Sequence, residues 1–348
     1  MMQRSRDRRQ GFTITELLVV IAIIAMLLAL VLVGFRRASL LSRVSVCLSN
    51  QRQISLAQAS YAVDNGGAMA SPRTSAPGSL THTFTGPCGG YTALINKGDP
   101  LDSSYHAWTA SYGAGLVNGI EYEFQANSTN VAAKALSGGR LYPYIGSLPL
   151  YRSPLDPTLR LRSYSLSAFV GVTMPHDNTG FSTTWAPWFC SQGVSPRDWI
   201  TTHVSHIRVP SQTLLCIVES DGTTGLNYNQ QPWVIDPRPP PGTPAPFGAF
   251  NPGAWGTSAG WTGWIDTPAF WEPHHITYSY VDGSAETYSL QNSKLVSLVE
   301  GPPGGGAGPF YPQPADNPAA GPWRRDFMHF RDRLLPGVFP PMTPKNFQ

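Results

Sequence analysis

Charge is scarce in this sequence: Asp, Glu, Lys and Arg make up 13% of the residues, about half the usual share. The formal net charge of +3 is also misleading about where charge lies. Arg4, Arg6, Arg8 and Arg9 stand against Asp7 in the first ten residues; without them, 24 basic and 21 acidic residues become 20 of each. The remainder is neutral by formal charge, which removes the electrostatic footprint of nucleic-acid binding. Cysteine is equally sparse. Cys47, Cys88, Cys190 and Cys216 include no C-x-x-C pair, which excludes a thioredoxin-like redox site and a zinc ribbon. Four is an even number, compatible with disulfides in an oxidising compartment, but no two are near in sequence and their connectivity stays open. Cys216, inside Leu-Leu-Cys-Ile-Val, reads as a buried thiol.

Against those shortages stand an abundance of turn formers and one long apolar run. Gly (34) and Pro (33) predict a soluble part rich in loops, in a chain with room for a membrane helix and one large or two modest globular units. From Leu17 to Phe35, nineteen consecutive residues carry no charge and nearly all are Leu, Ile, Val or Ala. That is long enough to cross the hydrocarbon layer as a helix. Before it come the basic leader, Gly11, Phe12 and then Glu16 alone at the edge of the apolar stretch. A secretory signal peptide places its small cleavable residue after the apolar core, and here that residue comes before it. An ordinary signal anchor leaves Glu16 as no more than a favourable charge at the positive end of a helix dipole.

Gly-Phe-Thr-x-x-Glu before an apolar run resembles the class III signal of type IV pilins and secretion-system pseudopilins. The resemblance implies cleavage after Gly11 by a prepilin peptidase that also N-methylates Phe12. It implies an assembly role for Glu16, the fifth mature residue, whose carboxylate would neutralise the amino terminus of a neighbouring subunit. An ionised carboxylate near hydrocarbon is costly unless paired, which agrees with such a role. The leader's arginines place the amino terminus in the cytoplasm and the residues after Arg37 outside the inner membrane. Implied partners are other pilin-like subunits and an inner-membrane assembly platform.

Leu40, Val44, Cys47, Ile54 and Tyr61 recur at three-, four- and seven-residue steps, with Gln51 and Gln58 completing the stripe. No Pro or Gly interrupts residues 35–63, and Asp64-Asn-Gly-Gly67 is a strong helix stop. These features predict a helix from about Thr13 to about Val63, on the order of 75 Å long. The expected organisation is a leader at 1–11, a transmembrane helix at 12–35, its extracytoplasmic half at 36–66 and a β-rich head at 67–348. The expected class is α+β, with a mainly antiparallel sheet and Pro/Gly-rich loops at 231–273 and 301–322. Residues 68–127 are polar, Gly-dotted and without readable periodicity. Asn130–Leu136 reads as a short helix ended by Gly138-Gly139. Tyr164, Leu166, Ala168, Val170 and Val172 alternate as in a half-buried strand. Leu214–Val218 suits a buried strand, and Ile276–Val281, Asp282-Gly283 and Ser284–Leu290 read as a hairpin with a two-residue turn.

A second resemblance rests on Cys47-Leu-Ser-Asn-Gln-Arg-Gln53, Leu141-Tyr-Pro-Tyr144, Ser153-Pro-Leu-Asp156, Arg162-Ser-Tyr-Ser165, Pro210-Ser-Gln-Thr213 and His275 with Asp282-Gly283. In this order they are similar to a large prepilin-like family with a carboxy-terminal His-spacer-Asp-Gly signature. That family usually has Cys where this chain has Ser153, so a disulfide made there is lost or rewired. Its spacer is also longer than the six residues between His275 and Asp282.

Several patterns are candidates for chemistry in the head. Gly256-Thr-Ser258-Ala-Gly260 fits G-x-S-x-G, but neither a strand before it nor a helix after it is readable, as a nucleophile elbow needs. The reading is therefore not that of an enzyme. Adjacent His274 and His275 on a strand point to opposite faces. His203 and His206 are three apart, as on a shared helical face, yet Val204, Ile207 and Val209 read as strand or loop. No cofactor is expected, apart from a candidate calcium in a head loop, as in related pseudopilins, at Asp177-Asn178 or Asp221-Gly222. Trp255, Trp261, Trp264 and Trp271 cluster in one Gly-rich stretch, as a hydrophobic plug on the sheet or as a partner or glycan contact. Trp323, Phe327, Phe330 and Leu334 share a helical face with Arg324, Arg325, Arg331 and Arg333 off it. The sequence thus reads as a pilin-like subunit of a type IV pilus or type II secretion pseudopilus. The alternative is a membrane-tethered extracytoplasmic module binding glycan or DNA without forming filaments.

Overall fold

The computed structural model describes residues 13–74, 80–86, 89–95, 107–109, 129–157, 161–171, 201, 203–220, 233, 235, 267–269, 271, 275–291 and 322–339. The chain divides into two units, Met1–Ser45 and Val46–Gln348. One helix, α1 (Ile14–Asp64, 51 residues), runs through both.

In the first unit α1 is a bare apolar rod. Between Leu17 and Leu32 thirteen large apolar side chains are exposed, from 43% at Val20 to 70% at Met26. Burying thirteen such side chains is worth roughly 20 to 40 kcal/mol, so water is the wrong solvent for this stretch. It is long and apolar enough to cross a membrane.

In the second unit α1 ends where Asp64-Asn-Gly-Gly67 predicts. Gly66 and Gly67 take positive φ of 63° and 94°, and the Gly67 N–H donates to the Ala62 carbonyl at 2.7 Å. This is the six-to-one bond of a Schellman stop, which only a residue tolerant of left-handed φ permits. Strands follow in the stretch where no periodicity was readable: β1 (Ser71–Thr74), β2 (Leu80–Gly86), β3 (Gly89–Ile95) and β4 (Ala107–Thr109). β2 and β3 pair antiparallel and β1 pairs with β4 in parallel. The expected short helix is α2 (Thr129–Ser137), followed by α3 (Tyr142–Ile145).

The main sheet is formed by β5 (Tyr164–Leu166), β6 (Leu214–Ser220), β8 (His275–Tyr280) and β9 (Ala285–Ser289), antiparallel in the order β5-β6-β8-β9. A short β7 (Thr267–Pro268) also pairs with β6. The class is α+β, as expected. Two local readings are corrected. The strand expected across residues 164–172 stops at Leu166, and residues 162–170 are all buried rather than alternating, because both faces of the sheet are covered. The hairpin has a three-residue loop instead of two: Gly283 N donates to Tyr280 O at 3.1 Å, and Tyr280 N to Ser284 O at 2.8 Å. Gly283 takes the left-handed position, φ 88°, as in a type I turn closed by a glycine bulge.

The covering elements lie on opposite faces of β8. Thr277 and Ser279 meet α1, whereas Tyr278 packs on Phe330 of α4 (Pro322–Arg331). Phe327, Phe330 and Leu334 are buried as their shared face predicts, and Arg325 is exposed. Arg331 corrects the reading that all four arginines lie off that face. It is fully buried, its guanidinium 5.8 Å from the Phe339 ring centre and 2.9 Å from Asp332 Oδ1.

Candidate functional site

The first candidate is the start of α1. Thr13 precedes the helix and Glu16 is its third residue, an S/T-x-x-E arrangement that closes a capping box. The Thr13 backbone N–H donates to Glu16 Oε2 at 2.9 Å and its hydroxyl to the same oxygen at 2.7 Å. The Glu16 N–H lies 3.3 Å from Thr13 Oγ1 in return. A first-turn carboxylate satisfies backbone donors that have no partner within the helix. Both bonds to the carboxylate end on Oε2; among the described residues Oε1 accepts none. Thr13-Ile-Thr-Glu16 carries this pattern in the sequence, where only the charge of Glu16 was read. Gly11 and Phe12, the processing positions, lie outside the described residues.

The second candidate is the seam by which residues 46–64 of α1 dock on the head. Its apolar members Cys47, Ile54 and Tyr61 are buried, but so are Asn50, Gln51, Ser55 and Gln58. Each of these polar side chains reaches a distant partner. Asn50 donates to Arg152 O (3.1 Å), Gln51 to Thr277 O (2.9 Å) and Gln58 to Ala70 O (3.0 Å), while Ser55 meets Ser279 at 2.9 Å. Such bonds specify register, because a slipped helix would leave buried polar groups unpaired at about 1 to 3 kcal/mol each. Cys47 Sγ lies 3.0 Å from Thr277 Oγ1, and receives the hydroxyls of Tyr164 (3.3 Å) and Ser153 (3.5 Å). Ser153 thus stands beside Cys47 in the seam. Cys47 and Cys216 are both fully buried. Burial, with Cys47 nearby, raises the Cys216 thiol well above its usual range, so it is protonated and unreactive. Cys88 and Cys190 lie outside the described residues.

His275 and Asp282-Gly283 are the start of β8 and the turn after it. Asp282 Oδ1 accepts from the Ser284 N–H (2.9 Å) and hydroxyl (2.6 Å), closing the hairpin loop. A side-chain carbon added at Gly283 would lie 3.6 Å from Leu56 on α1. His275, Asp282 and Gly283 are therefore hairpin residues, the turn set against the helix.

A third cluster escaped the sequence reading. On the α4 side of the sheet, Tyr278 and Tyr280 both donate short hydrogen bonds to Glu286 Oε1. Arg333 Nε donates to Tyr280 OH at 2.8 Å, and His329 Nε2 lies 2.6 Å from Tyr278 OH. With the Tyr278 proton directed at Glu286, His329 must donate from Nε2, which fixes its tautomer. His329 also stacks on Tyr288, ring centres 3.7 Å apart. Burial, reinforced by the Arg333 charge, holds His329 down to about 3. Asp326 accepts from Tyr288 OH (2.8 Å) and the Gln291 N–H (2.9 Å). The cluster fastens α4 to the hairpin. Its residues are scattered through the sequence, and no spacing rule announces it.

Trp271 is half-buried against the core. Trp255, Trp261 and Trp264, Ser258, His274, Asp177-Asn178 and Asp221-Gly222 lie outside the described residues. Among the described residues, no three His, Cys, Asp or Glu side chains group as metal ligands.

A family model, the prokaryotic N-terminal methylation motif, matches residues 6–32. The match covers the second half of the leader, Gly11, Phe12, Glu16 and most of the apolar run, so the chain carries a class III prepilin signal. Comparisons with curated proteins and with solved structures give no match.

Proposed function

We propose that this chain is a pilin-like structural subunit, cleaved after Gly11, N-methylated on Phe12 and assembled through α1 into a type IV pilus or type II secretion pseudopilus. One observation carries the reading: the methylation motif sits at the start of a single uninterrupted helix whose bare apolar part leads into the packing element of a β-rich head. The leader's positive charge keeps it in the cytoplasm, with the head outside the inner membrane. Removal of the leader creates a charged amine at Phe12, beside a carboxylate with one oxygen already engaged by Thr13 and the other open to a donor. A neighbour's amine is that donor when subunits stack, and helix packing supplies the rest of the association.

Glu16→Ala tests the mechanism. Losing one partner of a buried pair costs about 3 to 5 kcal/mol, repeated at each subunit contact. Insertion and cleavage continue, while filaments recovered by shearing fall below detection. A normal yield of sheared filaments from this variant removes the assembly mechanism.

A further inference from the structure

His203 and His206 are placed by a one-turn 3-10 helix (Val204–His206) with His203 at its start. The His206 N–H donates to His203 O at 2.9 Å, and Ile207 N–H to Val204 O at 3.0 Å. His203 is the extended residue before the turn and His206 closes it, so the turn brings the two imidazoles together where a continued strand would have sent them to opposite faces. The ring centres are 5.3 Å apart and the planes tilted by 52°. A zinc–nitrogen bond of about 2.05 Å plus about 1.15 Å from nitrogen to ring centre puts an ion about 3.2 Å from each centre. At a tetrahedral angle the two ring centres are then about 5.2 Å apart, close to the 5.3 Å between these rings, so an ion fits between them once each turns a nitrogen toward it.

The pair is also held in place before any ion arrives. Val204 N–H donates to Gly67 O at 3.0 Å, His203 bridges to Ala68, and Ile207 is buried. His203 is half-buried and His206 exposed, so an ion reaches both from solvent.

We propose that His203 and His206 form a bidentate site for a divalent transition-metal ion of the zinc class, completed by water. Imidazole pairs suit Zn²⁺, Cu²⁺ and Ni²⁺ and not Mg²⁺ or Ca²⁺. With two protein ligands and open positions, the site is one of exchange rather than of permanent structure.

The test is calorimetric titration of Zn²⁺ into the full chain in detergent micelles at neutral pH, with His203→Gln, His206→Ala and the double variant beside the parent. The expected result is a saturable site whose affinity falls about tenfold or more in each single variant, since either change breaks the chelate. The double variant, with neither imidazole, should show no saturable site. His206 is exposed, so its variant keeps the fold, which circular dichroism checks. Unchanged affinity in His206→Ala, or no saturable binding by the parent, overturns the proposal.

Discussion

At the scale of single residues, the structure depends on polar groups whose proton positions are fixed by their neighbours. His329 is the clearest case, because its imidazole donates to Tyr278, stacks on Tyr288 and lies close enough to Arg333 to be disfavoured as a cation. Its folded pKa of about 3 lies below the ordinary value of 6.5. Between those values the unfolded chain binds a proton that the folded chain refuses, so this residue's contribution falls as pH falls through 6.5 toward 3. The loss is at most about 1.4 kcal/mol per pH unit. Urea unfolding at pH 7 and pH 5 should show the parent less stable at pH 5, and His329→Gln should show a smaller difference. An equal difference in both proteins would mean that His329 does not couple folding to pH. Nothing in the sequence around His329 signals this role, because its partners lie 51 and 41 residues away.

At the scale of elements, the docking of α1 on the sheet was half legible. The spacing of Cys47, Ile54 and Tyr61 predicted the buried face, and Gln51 and Gln58 were placed on it, but not the backbone carbonyls they bond. A strand partner such as Thr277 is 226 residues from Gln51, and pairing at that distance leaves no local pattern. The strands between residues 71 and 109 were missed because their composition carries no alternation to read. The hairpin was legible from Asp282-Gly283, whereas its loop length depended on which residue takes left-handed φ. The Cys47–Ser153 contact gives this seam a direct check. With Ser153 Oγ 3.5 Å from Cys47 Sγ, Ser153→Cys should form a disulfide under oxidising conditions. Closing so long a loop is worth about 2 to 4 kcal/mol, read as a higher urea midpoint that reductant abolishes. Two free thiols at these positions after oxidation would place α1 differently on the head.

At the scale of the whole molecule, two units of opposite solvent preference share one helix. The bounds of that helix were read to within a residue or so, since an uncharged run and a double-glycine stop dominate any competing signal. The class III signal was equally legible, because leader charge, small residue, lone carboxylate and apolar run occur in a fixed order within one stretch. The tryptophan-rich stretch gave two readings in the sequence, and Trp271, the one described member, is half-buried against the core. The central claim is that residues 1–11 are a leader removed before the chain acts. Mass spectrometry of material sheared from the cell surface, compared with the membrane pellet, tests it most directly. The account predicts a peptide beginning at N-methylated Phe12, in the sheared fraction for a surface pilus and in the membrane for a pseudopilus. An intact leader in both fractions would contradict it and leave a signal-anchored protein whose function lies in its head.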